Sequence, residues 1–315
     1  MRVLITGSSG YLGQHFLSTL FQRPESNDIC VLYRSMEGFE DAVRSHPNAS
    51  NSASNIYFSR LDLTKEMAVD NFFNDEEPFD ICFHLAAIAS PKICQQDPST
   101  AKAVNVPVHF LNKLKETPII ALSTDQVYCG TKAPYTEDST VGPVNIYSQT
   151  KVDLEDFLMA CDSHSKYKAA VCLRSSIILG GESPFGKSHL TFLHFCKSRE
   201  GKETTFYSDE CRSVISVRDV CHTLSYFLTA LQKGKEIKTD VYNMGGPVRV
   251  SRLEMAIEVA NHYCFDSSLF LSAEKTSTPG EIPSPLDISM DSRRLEDLVG
   301  IKFRGLEATV KATFA

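Results

Sequence analysis

Through the first half of the chain, short apolar runs rich in β-branched residues alternate with stretches whose apolar positions recur at helical spacing. Val3 to Thr6 leads into Tyr11 to Phe21, Ile29 to Tyr33 stands as a second run, and Ile56 to Ser59 leads into Glu66 to Phe73. Asp80 to Leu85 then precedes Thr100 to Leu114, Ile119 to Ser123 precedes Ile146 to Ala160, and Ala169 to Leu173 closes the series. This alternation predicts an α/β fold, a doubly wound parallel sheet covered by helices on both faces. The runs are almost wholly apolar, as strands buried on both sides must be. Ser45 to Asn55 is polar, lacks periodicity and contains Pro47, which predicts a surface loop.

Beyond about Ser175 the alternation breaks down. A Gly/Ser/Pro-rich loop from Gly180 to Lys187 precedes a helical stretch from Leu190 to Ser198 and a run from Arg212 to Leu228. Val241 to Met244, a helix from Arg252 to Tyr263 and a Pro-rich segment from Pro279 to Pro285 follow. The pattern predicts a domain over residues 1–175 and a smaller substrate-binding lobe over 176–315, with segments that partly return to the first domain.

At 315 residues, 42% hydrophobic and 23% charged, the chain has a globular composition, large enough to bury ~75% of its unfolded surface. Its 32 Lys and Arg against 39 Asp and Glu give a net charge of -7. That balance offers no broad attraction to nucleic acid or anionic lipid, so small molecules or proteins are the expected partners. Ten cysteines, Cys30, Cys82, Cys94, Cys129, Cys161, Cys172, Cys196, Cys211, Cys221 and Cys264, stand singly with no CxxC pair. Such spacing argues against a metal site or a disulfide framework and for buried thiols in a reducing compartment. No basic leader or membrane-length apolar run is present, so a cytoplasmic location is expected and the Asn48-Ala49-Ser50 sequon should be inert.

The first run enters a helix through Thr6-Gly7-Ser8-Ser9-Gly10-Tyr11-Leu12-Gly13. Glycines at this strand-to-helix turn allow a tight bend and let backbone approach a pyrophosphate at the positive end of the helix; alone, they also suit a plain, well-packed turn. An NAD-type site wants an acid near the end of the second strand, to bind the ribose 2′-OH. Here Leu32-Tyr33-Arg34-Ser35 has none. Arg34 suits a 2′-phosphate, which favours NADP(H), and a solvated Arg at a strand end is the alternative.

Tyr147-Ser148-Gln149-Thr150-Lys151 puts a phenol and an ammonium on one helical face, where the charge should lower the Tyr147 pKa and let the pair move a proton. As a bare pattern this is also an ordinary amphipathic helix. Upstream, Leu122-Ser123-Thr124-Asp125-Gln126-Val127-Tyr128 sets hydroxyls at the carboxyl edge of the sheet, where open α/β folds bind ligands.

Taken in order, these motifs resemble the extended short-chain dehydrogenase/reductase superfamily, which implies a Rossmann-type fold. Leu61-Asp62-Leu63-Thr64 matches the segment that meets the adenine ring in that family. His84-Leu85-Ala86-Ala87 matches the segment that passes the cofactor phosphates and ribose, and Asn105 falls where the family has a helix-bending Asn. The resemblance spans residues 2 to about 175. It implies cofactor contacts at Gly7, Gly10, Tyr11, Leu12, Gly13, Arg34, Ser35, Asp62, Leu63, Leu85, Ala86, Ala87, Asn105, Tyr147 and Lys151.

Ser123 to Tyr128, Gly130-Thr131, Pro134-Tyr135, Glu137-Asp138, Pro143 and Asn145 are similar to the dTDP-4-dehydrorhamnose reductase branch, which also includes the regulatory beta subunit of methionine adenosyltransferase. The resemblance implies that Thr124 orients a substrate carbonyl, Tyr147 donates a proton, and Lys151 binds the nicotinamide ribose and tunes Tyr147. Cys129 would be a bystander. Arg212, heading Arg212 to Val220, looks like the residue that holds a substrate diphosphate, with a salt-bridged surface Arg as the alternative.

Two departures bear on sugar recognition. The chain has no Trp, Ile177 standing where the reductases carry one, and Ser284-Pro285 replaces an Arg-Pro pair. The expectation is thus an NADPH-dependent reductase of a nucleotide-linked 4-keto sugar. Its alternative is a non-catalytic NADP-binding regulator whose partner is a methionine adenosyltransferase catalytic subunit.

Overall fold

The computed structural model describes residues 1–160, 167–186, 191–276 and 281–314. Its centre is a seven-stranded parallel sheet: β1 (Arg2–Thr6), β2 (Asp28–Tyr33), β3 (Asn55–Arg60), β4 (Ile81–His84), β5 (Ile119–Thr124), β6 (Ala170–Ser175) and β7 (Asp240–Met244). The order is β7-β6-β5-β4-β1-β2-β3, so the winding reverses between β1 and β4. A Rossmann-type α/β fold has its ligand crevice at that switch point, outside the carboxyl ends of the strands. Thr6 pairs with His84 there, bringing the glycine loop beside Leu85.

The two faces of the sheet carry separate cores. Phe16, Leu17 and Leu20 of the helix Tyr11–Phe21, with Val220, Leu224 and Leu228 of Val217–Gln232, cover Val3, Ile5 and Val31 on one side. Val69, Phe110, Leu111, Leu154 and Leu158 cover Leu4, Cys82, Ile119 and Ala121 on the other. The full burial of such a side chain contributes ~1.5–3 kcal/mol. A third cluster, including Leu193, Phe206, Met255, Val259 and Val310, forms the core of the second half, which also supplies β7 to the sheet.

Several sequence expectations change in detail. The stretch Thr100 to Leu114 is two helices, Pro98–Asn105 and Val108–Asn112, because Pro107 drives Val106 out of the helical region (φ −128, ψ 70). The predicted loop Ser45 to Asn55 contains one helical turn, Pro47–Ser50, started by proline and capped by the His46 ring. Arg212 to Leu228 resolves into the short strands Cys211–Arg212 and Ile215–Ser216, followed by the long helix. The helix expected from Leu190 is Phe192–Lys197; Leu190 itself, Cys161, Lys187 and Pro279 lie outside the described residues. Seven described cysteines are buried, Cys129 is half-buried and Cys264 exposed, all as free thiols. No helix among the described residues is long and apolar enough to cross a membrane.

Candidate functional site

At the switch point the backbone itself forms the cleft. Gly7 has φ +69, and a Cβ there would sit 2.7 Å from the Ala86 nitrogen; a Cβ on Gly13 would lie 2.4 Å from the Gly7 carbonyl oxygen. Only glycine permits this packing. The Ser8 N–H donates to the Leu32 carbonyl at 3.1 Å, fixing the loop on β2. No side chain caps the Tyr11–Phe21 helix, whose N-cap Gly10 lines a cavity of about 210 Å³ with Gly7, Ser9, Arg34, Asp62, Leu63, Leu85, Ala86, Ala87 and Ile88. An uncapped N-terminus presents free N–H groups and the positive end of the helix dipole to an anion.

The cradle, the free helix end and the charge around Arg34 fit a phosphate-bearing dinucleotide. Arg34 is exposed on the cavity rim, and Ser35 is exposed beside it. Burial raises the Asp62 carboxyl, but the Thr64 N–H and hydroxyl and the Arg34 charge outweigh it and hold Asp62 below the usual range. Leu12 lies in the core under the loop, and the Tyr11 hydroxyl donates to the Gly181 carbonyl at 3.0 Å, tying the loop to the second half.

Next to this cavity, Asn145 opens the helix Ile146–Met159 with a capping box: its side chain accepts the Ser148 N–H at 2.9 Å, and Ser148 Oγ accepts the Asn145 N–H at 3.1 Å. Tyr147 and Lys151 follow on one face, both buried. The Thr124 hydroxyl at the end of β5, which donates to Asp125 Oδ1 at 3.3 Å, acts on the Tyr147 phenol by favouring its ionised form. Lys151 Nζ donates to the Leu122 carbonyl at 2.7 Å. Asn105 is fully buried and acts at one remove, bonding the Ile88 N–H at 2.7 Å and Thr150 Oγ1 at 2.8 Å, which fixes the helix to the loop after β4.

The expected lowering of the Tyr147 pKa by Lys151 does not occur. Burial pushes the phenol up to about 12 against the lowering effect of the Thr124 hydroxyl. Burial also lowers Lys151 to about 8, against the pull of Cys172, Glu155 and Cys94. Tyr147 therefore holds its proton at neutral pH.

The RmlD substrate binding domain model matches residues 1–315. The chain belongs to this family. Methionine adenosyltransferase 2 subunit beta of Xenopus tropicalis is 26% identical over 302 residues, covering 94% of this chain and 82% of that protein. UDP-glucose 4-epimerase of Lactobacillus helveticus is 26% identical over 277 residues, covering 81% and 79%. Among solved structures, a hypothetical dTDP-4-dehydrorhamnose reductase from Sulfolobus tokodaii superposes with a TM-score of 0.74 at 24% identity, covering 98% of each chain. The Bacillus anthracis dTDP-4-dehydrorhamnose reductase in complex with NADP gives 0.75 at 18% identity, over 99% of this chain and 98% of that one.

In this RmlD-family chain, the second half approaches the Thr124 end of β5 through charge. Arg212 is buried: Nη1 donates to the Cys211 and Leu286 carbonyls, both at 2.7 Å, and Nη2 to the Pro285 carbonyl at 3.0 Å and to Glu210 at 3.3 Å. Asp125, next to Thr124, is buried too, accepting the Ser176 hydroxyl at 2.8 Å; burial raises its pKa more than Arg212 lowers it. Sequence reasoning left out Asp125, Ser176 and Glu210. It also left out Glu155 and Arg174, an almost wholly buried ion pair (2.8 Å) behind the Tyr147 helix that also binds Ser123 and Tyr128. Asp125 could have been found from its place beside Thr124; the others meet only in the fold.

Proposed function

We propose that this protein is an NADP(H)-dependent reductase of a carbonyl substrate, a nucleotide-linked 4-keto sugar being the class that its relatives favour. The observation that carries the reading is the buried, protonated Tyr147 phenol, one turn from Lys151 and beside a glycine-loop cleft whose rim carries Arg34. When bound, NADPH supplies the hydride that adds to the carbonyl carbon. Thr124 orients the carbonyl oxygen by hydrogen bonding, and Tyr147 gives that oxygen its phenolic proton, so that C=O becomes CH–OH. Lys151, whose ammonium donates to the Leu122 carbonyl, binds the nicotinamide ribose.

A second reading, a regulatory subunit that binds NADP without turnover, is favoured by two observations. Relatives described as methionine adenosyltransferase 2 subunit beta match across 94% of the chain. Arg212, the residue expected to hold a substrate diphosphate, spends its bonds on Glu210 and backbone carbonyls.

NADPH oxidation across a panel of 4-keto nucleotide sugars, with Tyr147→Phe beside the wild type, separates the two. A reductase loses at least ~100-fold of its turnover in Tyr147→Phe while keeping NADPH affinity. A wild type with no turnover on any member of the panel, retained by a methionine adenosyltransferase catalytic subunit, establishes the regulator instead.

A further inference from the structure

Glu210 stands buried between three cations. Its Oε1 accepts from Arg252 Nη2 at 2.8 Å and from Arg212 at 3.3 Å, and its Oε2 accepts from Lys275 Nζ at 2.8 Å. Burial works against its ionisation, but Arg252, Lys275 and Arg212 outweigh that and hold the carboxyl near about 2. The group thus carries three positive charges against one permanent negative charge. Asp125 lies within electrostatic reach of Arg212 and Arg252 as well, and burial raises its pKa.

The three cations differ in what they can release. Arg212 has only 3% of its side chain exposed, and moving it would leave the carbonyls of Cys211, Pro285 and Leu286 without these donors, a penalty for each buried group. Arg252 and Lys275 are about one-fifth exposed, and Glu210 is the one hydrogen-bond acceptor their side chains have among the described residues. Lys275 also lines a cavity of about 150 Å³ with Thr276, Glu281, Ile282, Pro283, Ser284 and Leu286, several times the ~30 Å³ share of one liquid water. The Pro283 carbonyl on its wall accepts from Asn145, the cap of the Tyr147 helix, at 3.0 Å, so the cavity adjoins the reactive end of the cleft.

We propose that Arg252 and Lys275, rather than Arg212, form a site for a phosphate or diphosphate group, and that Glu210 is an internal counter-anion which the ligand displaces. Arg212 then anchors the Pro285–Leu286 segment, and Glu210 sets the affinity by competing for the same donors. The inference rests on the reading of the protein as taking an anionic substrate, and it names the residues that recognise the charge.

Titration calorimetry with inorganic pyrophosphate, and separately with dTDP, tests it without any turnover. Glu210→Gln keeps the side-chain shape and removes the charge. It should bind pyrophosphate at least tenfold more tightly than the wild type, and adding Lys275→Gln should remove the gain. NADPH affinity, read in the separate glycine-loop cleft, reports that each variant is folded. Should Glu210→Gln fail to fold, the exposed-edge variant Lys275→Gln alone must weaken wild-type pyrophosphate or dTDP binding at least threefold. Tighter binding of dTDP than of pyrophosphate points to a nucleotide as the source of the phosphates, and equal binding to a free phosphoanion.

Equal pyrophosphate affinity in wild type and Glu210→Gln, or a gain that survives Lys275→Gln, overturns the proposal. A tenfold gain in a protein that reduces no carbonyl leaves this site standing and the reductase reading fallen. Turnover of a nucleotide sugar with the same KM in Glu210→Gln, and no gain in pyrophosphate binding, sinks this inference alone.

Discussion

The glycine-loop cleft and the Glu210 cluster, the two regions proposed to take negative charge, are built of different material. In the cleft, backbone does the work: Gly7, Gly10 and Gly13 bring the chain close, and the uncapped helix end supplies N–H groups. In the cluster, four long side chains from well-separated segments do it, and their charges already neutralise one another in part. A backbone site is ready before its ligand arrives. A side-chain site can hold its own counter-ion, so its affinity can be set by a single carboxylate.

The largest effect should come from closing the backbone site. Gly13→Ala places a methyl 2.4 Å from the Gly7 carbonyl oxygen, and such overpacking costs ~1–3 kcal/mol of stability. NADPH affinity, followed by fluorescence, should fall by roughly a hundredfold or more, about 2.7 kcal/mol, while pyrophosphate binding at the Glu210 cluster stays as it was. Loss of both together would mean that the two regions are not independent.

A smaller effect sharpens what the cleft recognises. Arg34→Ala should weaken NADP(H) by roughly ten- to a hundredfold, the value of a charge-assisted contact of ~1.5–3 kcal/mol, and leave NAD(H) almost unaltered. Unchanged NADP(H) affinity in that variant would make Arg34 an ordinary surface charge.

The smallest effect is a pH dependence at the junction of the regions. Burial lowers Lys151 to about 8, from an unfolded-state value of ~10.4. The ammonium is present below about 8 and lost above it, so NADPH affinity and turnover should decline as pH rises through that value. The stability term has the opposite sign. Between those two values the unfolded chain binds more protons, so the Lys151 contribution to stability rises with pH. Parallel NADPH titrations and thermal unfolding from pH 7 to pH 10 check both directions, and Lys151→Met should flatten the binding profile.

The wound sheet, the glycine turn, Arg34 at the end of β2 and the Tyr147–Lys151 pair could all be read from the chain, because each depends on residues a few positions apart. A strand buried on both faces must be apolar along its length, and a helix must show its spacing locally. The same locality explains the smaller errors: Pro107 could have been weighed against one long helix from Thr100, and Pro47 against a bare loop. The Tyr147 pKa went the other way because burial depends on everything packed around the phenol, and no spacing rule carries that information.

Amino-acid order by itself determined the fold class and the cofactor-type cleft, since main-chain geometry and hydrophobic period are properties of neighbours. Tertiary structure alone decided what Arg212 does. Its acceptors at Glu210, Pro285 and Leu286, and the Arg252 and Lys275 charges that share Glu210, come from segments up to about seventy residues apart. Coulomb energy depends on distance in space and on local burial, and neither is set until the chain has folded.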